Sequence, residues 1–158
     1  MDYLSYMELP QNELINRTSC PVGKALQELG EKWVLLLLRE LFYGFHRFED
    51  FQQNLDISRS VLANKLGKMV EDGLVEKRLY QRESERPRHA YHLTKKGKDL
   101  FKVIVAISEW GNRYLDKDGE ETMVFVDAES GKQVQMSYTD SDFQPIHPRN
   151  ILLKTYQK

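Results

Sequence analysis

Apolar residues recur at three- and four-residue intervals through much of the chain between residues 20 and 116, which predicts a succession of helices. Cys20-Pro21 is expected to open the first helix, because proline suits the first helical position, and Gly30 is expected to end it. A second helix is predicted from about Glu31 to Phe42. Its run Val34–Leu38 is apolar all round, which favours the centre of the core. The first helix should bury one apolar stripe: Val22, Ala25, Leu26 and Leu29.

The stretch from Phe48 to Gly73 has the pattern of two short helices joined by a tight connection. Ser58 is expected to cap the second of them, since its hydroxyl can accept a hydrogen bond from an N–H of the first turn. One face of this second helix is apolar: Leu62, Leu66, Met69 and Val70. The opposite face carries short polar groups and cations without an acid, which suits a polyanion: Arg59, Ser60, Asn64, Lys65 and Lys68.

The chain after Gly73 alternates like a β-hairpin. Leu74–Tyr80 and Ala90–Leu93 are predicted as its two strands, joined by a polar and charged loop at residues 81–89. A helix-turn-helix followed by such a hairpin is the winged-helix arrangement, which presents its second helix to the DNA major groove. We therefore treat the helix that follows Ser58 as a candidate recognition helix and the hairpin as its wing.

Thr94 is expected to cap a long helix from Lys95 to about Asp116. Little of the winged domain is left for its apolar stripe to cover, so a second copy of the chain is the expected partner. The stripe consists of Leu100, Val103, Ile104, Ile107, Trp110 and Tyr114.

Beyond Gly119 the pattern changes to short strands, at Met123–Val126 and Lys132–Tyr138, with Ile151–Thr155 as a third candidate. The predicted fold class is therefore α+β, mainly α: a winged helix-turn-helix with a long C-terminal dimerisation helix and a small β appendage. The predicted domains are an N-terminal arm at residues 1–19, a DNA-binding domain at 20–94, a dimerisation helix at 95–118 and the appendage at 119–158.

The formal net charge of −1 gives no support to unspecific binding of nucleic acid, but the charge is unevenly distributed. Residues 39–98 carry 13 basic and 9 acidic side chains, whereas residues 115–144 carry 2 basic and 8 acidic ones. One cysteine excludes an internal disulfide framework and favours a reducing compartment. The sequence has no visible signal peptide and no apolar run of membrane-spanning length, which predicts a soluble cytoplasmic protein without membrane contact.

Several short motifs, in this order along the chain, resemble the HxlR family of bacterial winged-helix transcriptional regulators. They are Cys20-Pro21-Val22, Gly30-Glu31-Lys32-Trp33, Arg47-Phe48-Glu49-Asp50-Phe51, Ile57-Ser58, Glu71-Asp72-Gly73-Leu74-Val75, Arg86-Pro87, Tyr91-His92-Leu93-Thr94 and Gly97. The resemblance implies a homodimer on double-stranded operator DNA, with the first and the long last helix at the dimer interface. It also implies control by a thiol-reactive or other small-molecule effector in several members. Gly67, inside the recognition helix, departs from the long polar residue that is more frequent there.

The candidate DNA contacts lie on the recognition helix and on the wing. Arg59 is expected to pair with guanine and Asn64 with adenine, while Ser58 and Ser60 lie at the same end of the helix. Lys65 and Lys68 suit phosphates. The wing arginines are candidates for a narrow minor groove: Arg82, Arg86 and Arg88. The alternative for the recognition helix is a solvated face without a ligand. The alternative for the wing arginines is local pairing with Glu83 and Glu85.

Cys20 is the candidate for redox sensing, because a thiol at a helix N-terminus lies at the positive end of the helix dipole, which favours the reactive thiolate. A protein disulfide would have to join two subunits, since the chain has one cysteine. The alternative is a small buried hydrophobic side chain. In that case a ligand near the dimer helices, beside Trp33 and Trp110, is the alternative signal.

The remaining chemistry-bearing residues predict neither a metal, nor a cofactor, nor catalysis. The four histidines are scattered and there is no second cysteine, which argues against a metal site. No nucleophile–base pair or phosphate-binding loop is recognisable. The predicted function is a homodimeric, sequence-specific regulator. A winged helix that binds proteins instead of DNA is the first rival, and an enzyme with Cys20 as nucleophile is the second.

Overall fold

The computed structural model describes residues 20–81, 86–115, 123–147 and 151. Its contacts divide the chain into two units, Ala25–Met123 and a second that combines the residues before Ala25 with those after Met123. The helices are α1 (Pro21–Leu29), α2 (Lys32–Phe42), α3 (Phe48–Leu55), α4 (Arg59–Glu71), α5 (Lys95–Lys98) and α6 (Phe101–Leu115). The strands are β1 (Val75–Tyr80), β2 (Arg88–Leu93), β3 (Tyr138–Thr139) and β4 (Pro145–Ile146). This is the mainly α winged helix-turn-helix with a small β appendage that the sequence predicts.

Helix α2 forms the centre of the core, as its apolar run predicts. Four of its side chains are buried: Val34, Leu37, Leu38 and Leu41. They lie among buried residues of the neighbouring helices, including Phe51 of α3 and Leu62, Leu66 and Met69 of α4. Each fully buried side chain of this size contributes roughly 1.5–3 kcal/mol relative to an exposed one. This cluster therefore fixes the recognition helix against the rest of the winged domain.

A buried carboxylate joins α2 to α3. Glu40 is only 3% exposed, and its carboxylate accepts hydrogen bonds from Arg39, at 2.6 Å, and from Asn54, at 2.7 Å. A buried charge is tolerated when it is paired and hydrogen-bonded in this way. Because Asn54 lies in α3, its hydrogen bond to the buried carboxylate of Glu40 helps to set the position of α3.

The connection between α3 and α4 is tight, as predicted. Asp56 ends α3 in the left-handed conformation, with φ of 47°, and the side chain of Ile57 is buried. Ser58 precedes α4, and its hydroxyl oxygen accepts a hydrogen bond from the N–H of Val61 at 3.4 Å. The predicted N-cap is confirmed.

The wing is an antiparallel hairpin in which Val75 pairs with Leu93 at one end and Tyr80 with Arg88 at the other. Its second strand starts at Arg88, two residues before the predicted start. The backbone N–H of Tyr91 donates to the carbonyl of His46 at 2.8 Å, and Arg47 forms a β-bridge with Ala90. These contacts attach the wing to the segment that leads into α3.

The predicted single helix from Lys95 is interrupted at Asp99–Leu100, where a turn separates α5 from α6. The predicted cap is present, because the N–H of Gly97 donates to the hydroxyl of Thr94 at 3.2 Å. Gly97 packs against the carbonyl of Leu74, and a Cβ at this position would lie 2.2 Å from that oxygen. This close approach fixes α5 at the base of the wing, and the turn then starts α6 as a separate helix.

The first helix does not bury its apolar stripe within a single chain. All residues of α1 stay at least partly accessible, with Val22 65% and Leu26 59% exposed. The expectation of a buried stripe is therefore wrong for the single chain. On α6 only Ile104 and Val105 are buried, while Ile107, Trp110 and Tyr114 are exposed.

The strands predicted after Gly119 are much shorter than expected. The pair Met123–Val126 and Lys132–Tyr138 is reduced to one bridge, between Val126 and Gln133. The regular pairing joins β3 to β4, which the sequence did not predict. Because Val126, Val134 and Tyr138 are exposed, side-chain packing does not extend the strands. Most of the third candidate, Ile151–Thr155, lies outside the described residues.

Candidate nucleic-acid interface

The N-terminal half of α4 presents most of the polar side chains that the sequence assigns to DNA. Ser58, Arg59, Ser60 and Asn64 are exposed. The hydroxyl oxygens of Ser58 and Ser60 lie 3.4 Å apart. The guanidinium of Arg59 lies 5.5 Å from the ring centroid of Phe48, the first residue of α3. This end of α4 therefore combines hydrogen-bonding groups with a cation held against an aromatic ring.

The two lysines of α4 have different surroundings. Lys68 is exposed, and its ammonium group donates to the carboxylate of Asp72 at 2.8 Å, which raises the pKa of Lys68. Lys65 forms an ion pair with Glu31, which precedes α2, and its side chain is only 17% exposed. Of the two predicted phosphate ligands, Lys68 thus faces solvent whereas Lys65 is packed against the core side of the domain.

The structure describes two of the three predicted wing arginines. Arg86 and Arg88 are both exposed, whereas Arg82 and the acids Glu83 and Glu85 lie outside the described residues. Arg88 forms an ion pair with Glu49, in the first turn of α3, with 2.8 Å between the guanidinium nitrogen and the carboxylate oxygen. The wing is therefore tied electrostatically to the helix-turn-helix.

Arg59 of the recognition helix and Arg88 of the wing face one cleft. Both are held by consecutive residues of α3, since Phe48 lies under Arg59 and Glu49 pairs with Arg88. The remaining lining comes from strand β2. The cleft is lined by Phe48, Glu49, Arg59, Arg88, His89 and Tyr91.

Sequence reasoning missed a histidine pair at the base of the wing. The rings of His46 and His92 stack with their centroids 4.5 Å apart, and Nδ1 of His46 lies 3.1 Å from the carbonyl oxygen of Tyr91. Burial, and secondly the neighbouring His46, lower the pKa of His92. The two residues are far apart in the sequence, and no local pattern indicates that the folded wing brings them together.

Arg47 is a second residue that the sequence analysis did not single out as a site. It precedes α3, and its guanidinium lies 5.3 Å from the ring centroid of Tyr80 at the end of β1. It adds a further cation beside the wing, on the segment that leads into the helix-turn-helix. Its place in the motif Arg47-Phe48 was the available signal.

Cys20 immediately precedes α1, as predicted, and is half-buried. Its carbonyl oxygen accepts a hydrogen bond from the N–H of Lys24 at 3.0 Å, which closes the first turn of the helix. Among the described residues, no group of three or more histidine, cysteine, aspartate or glutamate side chains could hold a metal ion. Over the same part of the chain, no helix is both long and apolar enough to span a membrane.

A model of the HxlR-like helix-turn-helix family matches residues 28–119. An uncharacterised HTH-type transcriptional regulator of Mycobacterium tuberculosis (strain ATCC 25618 / H37Rv) is 45% identical over 96 residues, or 61% of this chain and 60% of that protein. The chain therefore spans less than two thirds of the length of this curated relative.

Two solved structures share the fold. The transcription-factor candidate PA1607 is 32% identical, with a TM-score of 0.75 over 87% of this chain and 96% of that one. The redox regulator HypR in its oxidized form is 30% identical, with a TM-score of 0.55 over 61% of this chain and 99% of that one. The names of these relatives describe regulators and not enzymes.

Proposed function

The chain belongs to the HxlR-like helix-turn-helix family, and we propose that it is a transcriptional regulator that binds operator DNA sequence-specifically as a homodimer. The observation that carries this proposal is the exposed, acid-free N-terminal half of α4 beside a wing that bears exposed arginines. In helix-turn-helix proteins this half of the recognition helix reaches the base edges. The protein-interaction rival does not account for an acid-free face of this kind.

Within this proposal the polar side chains have two tasks. Arg59 and Asn64 read bases in the major groove, with Ser58 and Ser60 beside them. Lys68 binds the phosphate backbone, and Arg86 and Arg88, together with Arg82 of the undescribed wing tip, approach the minor groove. Lys65 has the weakest support as a phosphate ligand, because its paired side chain is only 17% exposed, whereas that of Lys68, also paired, is 54% exposed.

The dimer is proposed from two uncovered apolar faces. Val22 and Leu26 of α1 are exposed, as are Ile107, Trp110 and Tyr114 of α6. Exposed large apolar side chains on the face of an amphipathic helix are typical of interaction sites in soluble proteins. We assign residues 20–94 to DNA binding and residues 95–118 to dimerisation. Two recognition helices about 34 Å apart would read a palindromic operator.

Control of the regulator is proposed to act through Cys20. The support is its place before α1 and the likeness to HypR, which is described as a redox regulator. Oxidation would act by favouring one of two dimer states that differ in DNA affinity. A small ligand between the dimer helices, with Cys20 as a structural residue, is the alternative route to the same end.

The experiment that tests this proposal is binding of the reduced, full-length protein to the DNA upstream of its own gene. It is made at two salt concentrations and against unrelated DNA of equal length. Tight, specific and salt-sensitive binding is the expected result, since phosphate neutralisation makes affinity fall with salt. Absence of binding even at low salt would contradict DNA binding and favour the protein-interaction rival.

A further inference from the structure

Two consecutive residues at the start of α3 hold one arginine from the recognition helix and one from the wing. The ring of Phe48 lies under Arg59, with 5.5 Å from the guanidinium carbon to the ring centroid, and the carboxylate of Glu49 pairs with Arg88 at 2.8 Å. We propose that Phe48 and Glu49 are positioning residues of the DNA interface, which orient these two arginines and restrain their contact with unspecific DNA. This inference rests on the proposed function.

The start of α3 is a suitable platform for this task. Phe48 is the first residue of the helix, and Glu49 lies in its first turn, where the helix dipole favours an acid. The position of Glu49 is therefore favourable for an acid within its own helix. It pairs across the cleft with a residue 39 positions further along the chain.

The exposure of the pair argues against a role in stability. The side chain of Arg88 is 50% exposed and that of Glu49 is 56% exposed. Exposed ion pairs contribute little to folding, because solvent screens them and the side chains lose entropy. What such a pair does change is the direction of the arginine and the charge that approaching DNA meets.

The charge of Glu49 opposes phosphates wherever Arg88 attracts them. Unspecific DNA is bound mainly through its phosphates. Because the Glu49–Arg88 pair has almost no net charge, it attracts these phosphates only weakly. In the operator, Arg88 would occupy a defined position in the groove, and its contact there would compensate for the repulsion between Glu49 and the phosphates. An unrelated sequence would not supply this contact. Glu49 should therefore weaken unspecific binding more than operator binding, which raises the specificity of the protein.

Phe48 acts on Arg59 by a different route. An arginine above an aromatic face is held by cation–π attraction, which limits the conformations of its long side chain. Less freedom is then lost when Arg59 forms a two-pronged contact with a base. Phe48 should therefore affect operator binding without a change in the number of phosphates neutralised.

The test compares Glu49→Gln with Asp99→Asn in the full-length protein. Asp99 forms an exposed ion pair with Lys95 in the turn after α5, so its variant removes the same charge outside the cleft. Affinity for operator and for unrelated duplex is measured by fluorescence anisotropy across a salt series. For Glu49→Gln we expect tighter binding to the unrelated duplex. The slope of the logarithm of its binding constant against the logarithm of the salt concentration should be steeper by about 0.9, and the ratio of operator to unspecific affinity should fall roughly tenfold.

Two further variants make the result attributable to the cleft. With Arg88→Ala already present, Glu49→Gln should no longer steepen the salt slope, because the arginine with which Glu49 pairs is gone. Phe48→Leu should reduce specificity with an unchanged slope, and Phe48→Tyr, which keeps the ring, should restore it. Melting curves of all variants check that the fold is retained.

The outcomes separate this inference from the proposed function. Specific operator binding by the unaltered protein, together with identical behaviour of Glu49→Gln and Asp99→Asn, overturns the role of Glu49 and leaves the regulator intact. Equal specificity of Phe48→Leu and the unaltered protein overturns the role of Phe48. Failure of the unaltered protein to prefer operator DNA would overturn the proposed function itself.

Discussion

Lys65 of the recognition helix α4 forms an ion pair with Glu31, the residue that precedes α2. The side chain of Lys65 is largely covered, whereas that of Glu31 is 60% exposed. The pair thus links the recognition helix to the start of the central core helix. The ion pair holds Lys65 against the domain, so its ammonium group is less open to a phosphate than that of the exposed Lys68.

We expect Lys65→Ala to lower stability more than DNA affinity. The loss should be about 0.5–1 kcal/mol, from the weak ion pair and the packed aliphatic stem. A change of this size lowers the melting temperature by roughly 1–4 °C. Circular dichroism measures it, and Glu31→Gln should show a similar but smaller decrease. If Lys65→Ala instead reduced the salt dependence of DNA binding by one phosphate contact and left the melting temperature unchanged, Lys65 would be a ligand of the DNA backbone.

Arg59 and Lys68 should differ in how their removal affects DNA binding. Arg59→Ala is expected to cost about 1–3 kcal/mol on the operator and to relax the preference at one base position. Lys68→Ala should weaken all sequences alike and reduce the salt slope by about one, as the loss of a phosphate contact does. Competition binding with single-base operator variants distinguishes the two. Identical profiles for both variants would contradict the division between base reading and backbone contact.

Much of the fold could be predicted from the sequence because its signals are local. The N-cap Ser58 and the predicted stripe of Leu62, Leu66, Met69 and Val70 define α4 without knowledge of any other element. The cap is present and the first three stripe residues are buried, whereas Val70 is half-buried. The interruption between α5 and α6 could not be predicted in this way. It lies two residues after Gly97, which approaches the carbonyl of Leu74 in a contact that exists only after the wing has folded.

The candidate site divides along the same line. The polar face of α4 follows from helical periodicity, and residues of this face were identified from sequence alone. The pair of Arg88 with Glu49 and the stack of His46 on His92 were not, because each joins the segment before or within α3 to strand β2. For α1, the sequence predicted an apolar stripe but not its exposure, since periodicity identifies an apolar face but not what covers it.

The stacked histidines should make the attachment of the wing sensitive to acid. Burial is the main cause that lowers the pKa of His92 below its usual 6.5, and the charges of His46 and Arg78 act in the same direction while Glu76 opposes them. The unfolded chain therefore binds the proton more readily than the folded one. The stability from neutral His92 is complete above pH 6.5 and is lost as the pH falls through the lowered pKa.

Melting temperatures between pH 7.5 and 5 measure this effect. The unaltered protein should lose more stability over this range than His92→Gln, which cannot be protonated. His89→Gln is the matched control, because His89 lies exposed on the same strand, and its decrease should equal that of the unaltered protein. Parallel curves for the unaltered protein and His92→Gln would show that the histidine pair does not titrate during unfolding.

Trp110 should be required for the dimer. Its side chain is 56% exposed, with the ring of Tyr114 tilted beside it at 5.6 Å between ring centroids, so Trp110→Glu removes little from the core of a single chain. We expect a monomer by light scattering and a roughly hundredfold or greater loss of affinity for a palindromic operator, because bivalent binding is lost. Lys95→Gln makes the same change in charge on an exposed side chain and should remain dimeric. A dimeric Trp110→Glu would place the interface elsewhere.

Cys20 should be the residue through which an oxidant affects DNA binding. The chain has one cysteine, so a disulfide formed with diamide must join two chains or bind a small thiol. We expect diamide to change the operator affinity of the unaltered protein, with reversal by dithiothreitol, and to leave Cys20→Ser unaffected. Non-reducing electrophoresis separates the two products, since a band at twice the chain mass requires the intersubunit disulfide and a glutathione adduct does not. A full diamide response in Cys20→Ser would refute thiol sensing at this position and favour the ligand between the dimer helices.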